Sequence, residues 1–147
     1  IVSIIQDIAT RYDVDGIHFD DYFYPSSFMK AVPDNQDKQT FIDNNPTNLS
    51  LADWRRENGK LMVGMVYDAI QVINTNLNKN VVFGVSPSGI WKSDVPTGIS
   101  GGSHFTDLFY DPIAWLDAGK VDYLAPQVYW KITGGQDYIK LTQWWND

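Results

Sequence analysis

The chain has no cysteine, which excludes disulfides, thiolate zinc sites and cysteine nucleophiles while leaving the redox compartment open. Positive charge is scarce as well: 11 Lys and Arg stand against 18 Asp and Glu, a formal charge of −7. With no Lys/Arg run to offset that balance, nucleic acid is not an expected partner. No apolar stretch approaches the roughly 18–20 residues of a membrane span, and no signal-peptide pattern opens the chain. Phosphate-binding glycine turns are missing too. Gly84 lies inside its strand, and Gly98, Gly101 and Gly102 lie in a loop with no helix immediately after it, which argues against nucleotide binding. Nor is there a Gly-x-Ser-x-Gly elbow, because Gly84-Val85-Ser86 runs on into Pro87-Ser88.

Aromatic residues are what the chain has in excess: 14%, with six Trp and eight Tyr. Part of this is core, and the rest gathers where strands end, where sugar-binding proteins need flat apolar faces beside hydrogen-bonding groups. The 147 residues are enough for one domain with its own core. They fall short of the about 250 residues of a complete (β/α)₈ barrel. Ile1-Val2-Ser3-Ile4-Ile5 carries no initiator Met and reads as helix interior, so the expectation is a piece of something longer.

The order reads helix, strand, helix, strand, helix, strand, helix. Ile1, Ile4, Ile5, Ile8 and Ala9 share one helical face, and that helix ends near Arg11. Residues 14–20 fit a strand, and 25–50, rich in Pro, Asn, Asp and Ser, reads as a long irregular insertion. Ser50 and Asp53 resemble a capping box opening a helix to about Asn78. Leu61, Met62, Met65, Val66, Ala69, Ile70, Val72, Ile73 and Leu77 give that helix a broad apolar face. The run 81–85 suits a strand buried on both faces, and a Gly/Ser-rich loop covers about 86–110. Asp111-Pro112 supplies an N-cap with Pro at the first helical position, and Gly119 suits that helix's end. Residues 121–129 form the third strand, and a last helix starts at Tyr138. The fold class is therefore α/β, with about three parallel strands joined by crossover helices. Long loops follow the strands and short returns precede them, as in α/β barrels, where the loops after strands carry function. A doubly wound sheet shares the alternation.

Side chains alternate along a strand, so with Ile17 and Phe19 packed on helices, Gly16, His18 and Asp20 face the barrel axis. Asp20 closes the strand and Asp21 lies just past it, followed by Tyr22, Phe23, Tyr24 and Pro25. Glycoside hydrolysis needs two carboxyl groups, one to protonate the leaving oxygen and one to act as nucleophile or base. Neighbours on a strand diverge, so Asp20 and Asp21 need not be both members of that pair. A purely structural use, Asp20 accepting backbone hydrogen bonds and Asp21 capping a turn, is the alternative. Metal binding by the pair with His18 is a weaker one, because two Asp and one His make a poor ligand set. At the second strand end Ser86 can bond a sugar hydroxyl, and Trp91 either stacks on a pyranose ring or anchors its loop. At the third, Gln127 and Tyr129 share one face and bring an amide and a phenol to the same mouth, with Trp130 beside them. A buried amide and phenol need partners. His104 reads as solvated loop, and Trp54, Trp144 and Trp145 as helix packing.

Asp15-Gly-Ile-His-Phe-Asp-Asp-Tyr-Phe-Tyr-Pro25, Phe83-Gly-Val-Ser-Pro-Ser-Gly-Ile-Trp91 and Ala125-Pro-Gln-Val-Tyr-Trp130 together resemble the glycosyl-hydrolase-like 10 family. Trp54-Arg-Arg-Glu-Asn58 and Leu141-x-x-Trp144-Trp145 match it as well, so the resemblance runs nearly end to end over the middle-to-late part of that barrel. It implies a partial (β/α)₈ TIM barrel, 1–147 being an internal fragment of a single catalytic domain, with the three strands as the fourth, fifth and sixth. It implies bacterial, extracytoplasmic proteins (periplasmic, secreted or lipid-anchored) that act on glycans, cell-wall strands among them, without a cofactor or metal. Asp20 and Asp21 correspond to the family's acidic pair, and Gln127 and Tyr129 to its sixth-strand site residues. The substrate-binding set expected around them is His18, Tyr22, Tyr24, Ser86, Trp91, Gln127, Tyr129 and Trp130. A looser similarity to chitinase-type barrels breaks down where Tyr22 stands at the catalytic Glu and His18 at the first inner Asp. The partner is an oligo- or polysaccharide. The rival readings are a non-catalytic carbohydrate-binding barrel and an inactive fragment that self-associates through unpaired strand edges and open apolar faces.

Overall fold

A computed structural model describes residues 1–21, 23–24 and 36–147. Tyr22 and most of the front half of the 25–50 insertion therefore lie outside the described residues. Three strands, β1 (Gly16–Phe19), β2 (Val82–Val85) and β3 (Tyr123–Leu124), form one parallel sheet in the order β1-β2-β3. Helices run between them: α1 (Val2–Arg11), α2 (Lys38–Asp43), α3 (Leu51–Leu77), α4 (His104–Asp107), α5 (Pro112–Asp117) and α6 (Tyr138–Asn146).

The register pairs Gly16 with Val82 and His18 with Gly84, then Gly84 with Tyr123. Ile17, Phe83 and Val85 consequently share one face, and it is the apolar one. They pack with Ile5 of α1, with Val63, Val66 and Ile70 of α3, and with Trp115 of α5 in a single core. Both crossovers thus lie on the same face of the sheet, and strands adjacent in sequence are adjacent in space. That is the arrangement of consecutive barrel units, whereas a doubly wound sheet places helices on both faces.

Local chemistry fixes the joints. Ser50 caps α3, its hydroxyl oxygen accepting the Asp53 N–H at 3.2 Å, while Asp53 turns its carboxylate to that same hydroxyl at 2.6 Å. Asp111 caps α5 ahead of Pro112, and Gly119 follows that helix at φ +61, a conformation glycine adopts without strain. The Asn74 side chain bridges the turn into β2: its amide donates to Val81 O at 2.9 Å and its oxygen accepts the Val81 N–H at 2.9 Å. The Lys79 ammonium donates to the carbonyls of Ala9, Thr10 and Tyr12, covering the C-terminus of α1, where orphan carbonyls favour a cation.

Several sequence expectations change. The supposed irregular insertion contains α2, and the Gly/Ser loop contains the single turn α4. The third strand is far shorter than 121–129, although backbone pairing persists: Ala125 N–H bonds Val85 O and Gln127 N–H bonds Pro87 O. Pro126 interrupts regularity because it has no N–H, yet it sits at the alternate position that faces away from β2. The buried stripe of α3 is Gly59, Val63, Val66, Ala69, Ile70 and Ile73, narrower than the apolar residues suggest. Leu61, Met65 and Val72 are each more than half exposed, at 55%, 54% and 56%, because they lie on the opposite side of the helix. Ile1 and Ile4 of the first helix are exposed in the same way, and Ile5 and Ala9 are buried. No helix among the described residues is long and apolar enough to cross a membrane.

The Asn74 bridge carries a prediction. Asn74→Ala leaves the N–H and C=O of nearly buried Val81 without their partner. It should lower unfolding free energy by about 1–3 kcal/mol, read from denaturant midpoints. An unchanged midpoint would refute the bridge.

Candidate active site

The sheet face opposite the core carries a polar row. His18 stands on β1 and Tyr123 on β3, with Gly84 of β2 between them. The Tyr123 ring lies across Gly84 so closely that a Cβ there would sit 2.1 Å from its Cζ. Only glycine lets the phenol cross β2 and reach His18. Its hydroxyl lies 2.9 Å from His18 Nδ1, and the two rings are stacked. The other ring nitrogen, Nε2, is 2.7 Å from Ser86 Oγ. Both hydroxyls can donate or accept, so either imidazole tautomer is satisfied. His18 is thus committed on both nitrogens to protein partners, which also removes it as a metal ligand.

Asp20 follows β1 at its carboxyl end. Its Oδ1 accepts the Asp21 N–H at 2.8 Å and the Gln127 Nε2–H at 2.8 Å. The same Gln127 nitrogen donates to Ser86 O at 3.0 Å. One carboxamide therefore ties together the ends of β1, β2 and the continuation of β3.

Asp21 turns the other way, toward the core. Its side chain keeps only 24% of its exposure, and its backbone carbonyl accepts the Tyr110 hydroxyl at 2.6 Å. Burial raises its pKa above the usual aspartate value, and the charge of Asp20 and a hydrogen bond to it act in the same direction. His104 Nε2 lies 3.9 Å from Asp21 Oδ2.

His104 corrects the sequence reading. Far from solvated, it is 1% exposed, and its Nε2 accepts the Ser88 N–H at 2.5 Å. Burial pushes its pKa down to about 3, so the ring is neutral, and the engaged Nε2 places the proton on Nδ1. Tyr110 is fully buried beside it, with its pKa raised by burial and by the charges of Asp21 and Asp20.

The remaining expected residues scatter. Trp91 donates its indole N–H to Asp111 Oδ1 at 2.9 Å and stacks on Trp144, so it anchors its loop. Trp130 packs on the small cluster of Ile90, Ile99 and Leu141 and leans over Gly89. Tyr24 accepts from Asn58 at 3.3 Å and lies near Phe109 and the Arg55 guanidinium, on the α3 side. That guanidinium pairs with Asp37 at 2.7 Å and holds its carboxyl below the usual range. Tyr129 is 84% exposed, and the phenol that enters the polar row is Tyr123, six residues earlier and of the same strand parity. Parity was the available signal for Tyr123. No sequence signal marked His104 as buried.

The sequence profile described as Glycosyl hydrolase-like 10 matches residues 1–147. The chain belongs to the glycosyl hydrolase-like 10 family. It is 36% identical over 152 residues to the protein named Glycosyl hydrolase DigH of Escherichia coli strain K12, and equally to the Shigella flexneri protein of that name. It is 34% identical over 154 residues to Glycosyl hydrolase YngK of Bacillus subtilis strain 168. These alignments cover 100% of this chain but 33% and 29% of those relatives, so the chain spans about a third of their length. Its three strands and their helices are a partial barrel of this family.

The Gly84–Tyr123 crossing predicts strong coupling. Gly84→Ala must displace the Tyr123 ring, whereas a Tyr123→Ala background removes the ring atoms that the new Cβ would strike. A double-mutant cycle of unfolding free energies should show about 0.5–3 kcal/mol of coupling. Additive effects would contradict the crossing.

Proposed function

We propose that this chain forms one wall of a glycosidase active site that cleaves O-glycosidic bonds in a polysaccharide. Bacterial cell-wall glycan outside the cytoplasm is the substrate class that fits the family resemblance. The observation that carries the reading is the Asp20–Asp21 pair at the carboxyl end of β1, with Gln127 on one acid and a raised pKa on the other.

A hydrogen bond between two carboxyl groups needs one proton. Burial beside a like charge raises the Asp21 pKa and so favours its protonated form. Gln127 meanwhile donates to Asp20 Oδ1 and holds that carboxyl at the mouth. As neighbours at one strand end, the two carboxyls stand on one wall of the site, whereas retaining enzymes place their pair across the scissile bond at about 5 Å and inverting ones at about 6.5 Å or more. The pair therefore works as one acid unit that protonates the leaving oxygen. The nucleophile or base comes from a carboxyl on another barrel strand, beyond the third of the relatives' length that this chain spans. Ser86, Gln127 and the exposed Tyr129 ring line the approach and orient sugar hydroxyls and faces.

The pH dependence follows from the direction of the Asp21 shift. The acid acts while protonated, so the rate holds below the raised Asp21 pKa and falls as pH climbs through it. In a protein carrying this chain within a complete barrel, Asp20→Asn and Asp21→Asn should each reduce glycan turnover by about 100-fold or more while saccharide still binds. Turnover equal to wild type on every glycan it cleaves would refute the catalytic role of the pair.

A further inference from the structure

Two buried side chains next to Asp21 have no part in the acid chemistry above. Tyr110 belongs to an aromatic wall: its ring is parallel to that of Trp115 at 5.4 Å, and Phe23 packs on both, 4.6 Å from Tyr110 and 5.1 Å from Trp115. The hydroxyl is the polar end of that wall, and it donates to the Asp21 carbonyl at 2.6 Å. His104 packs its ring 4.3 Å from that of Tyr110. Through Nε2 it holds the Ser88 N–H, and the same atom faces the Asp21 carboxylate. Its Nδ1–H has no hydrogen-bond partner among the described residues. An unpaired buried donor costs about 1–3 kcal/mol, and an apolar ring would fill the space without that cost. The imidazole is therefore explained by the acceptor it offers the Ser88 N–H, which holds the ring against Asp21.

We propose that Tyr110 and His104 are positioning residues that clamp the Asp21 turn onto the core and shield its carboxyl from water beside Asp20. The catalytic meaning rests on the glycosidase reading above; the clamp itself does not. Among the described residues, the titratable groups facing Asp21 are Asp20 from the end of β1, His104 from α4 and Tyr110 from the α4–α5 connection, with the neutral amide of Gln127 beside them. None brings a positive charge, because His104 stays unprotonated across the working range. A cation in its place would favour the Asp21 carboxylate and release the proton.

The test is a titration of the Asp21 carboxyl by ¹³C NMR in a protein carrying this chain within a complete barrel, read without substrate. Tyr110→Phe keeps the ring and removes the clamp bond. His104→Phe fills the space without an acceptor, and His104→Gln restores an acceptor for Ser88. The Asp21 midpoint should fall by about one unit in the two Phe variants and return toward wild type in His104→Gln. The basic limb of the cleavage rate should move to lower pH in step. An Asp21 midpoint unmoved in folded Tyr110→Phe overturns the proposal, and that variant decides the matter even where His104→Phe fails to fold. The two readings fail separately. A wild type that cleaves no glycan but shows the expected titration shifts sinks the glycosidase reading alone. Loss of cleavage in Asp20→Asn with the Asp21 titration unmoved by Tyr110→Phe sinks only the clamp.

Discussion

The carboxamide of Gln127 is the contact on which the mouth of this partial barrel depends. It donates to the Asp20 carboxyl and to the Ser86 carbonyl, so three strand ends share one planar group. Without it, the Asp20 carboxyl would lose the contact that ties it to the other two strand ends. Below this layer the His18 ring performs a similar service, joining Ser86 to Tyr123 across the same three strands. Side-chain hydrogen bonds thus continue the order of the sheet past the point where Pro126 ends its regular ladder.

The sheet separates two kinds of energy. Its helix-facing side is apolar and close-packed, with Phe83 and Val85 fully buried. Its other side is a row of polar groups, each engaged with another. Asp21 lies where the two regions meet. Its carboxyl lies between Asp20 and the buried His104 ring, and its backbone is bonded to the Phe23–Tyr110–Trp115 wall of the core. Packing therefore acts on the chemistry directly: the wall removes water from one carboxyl and leaves its neighbour in the open mouth.

Much of this was legible from residue order. Period-two alternation places Asp20 at the strand mouth and Gln127 on the matching face. Capping chemistry marks Ser50 and Asp111, and the glycine after α5 sits where the helix must reverse its backbone sign. What escaped is non-local. Tyr123 enters the polar row because Gly84, remote in sequence, leaves room for its ring, whereas Tyr129 has the right parity but lies beyond the paired backbone. His104 looks solvated because Gly and Ser surround it in sequence, and only the fold packs it against Tyr110. Trp91 carries the composition of a sugar platform but finds Asp111 and Trp144 first. The broad apolar face of α3 misleads for a related reason, since periodicity counts apolar residues without showing which side meets the sheet.

The central claim is that the Asp20–Asp21 pair, held by Gln127, is the acid that meets the scissile bond. Its most direct test is a crystal structure of a complete barrel containing this chain, with an oligosaccharide bound to the Asp20→Asn variant. The account predicts a glycosidic oxygen about 2.6–3.2 Å from the Asp21 carboxyl, within hydrogen-bond reach, and a sugar ring lying between Gln127 and Ser86. A saccharide bound elsewhere in the barrel, with no glycosidic oxygen in reach of the Asp21 carboxyl, would contradict it.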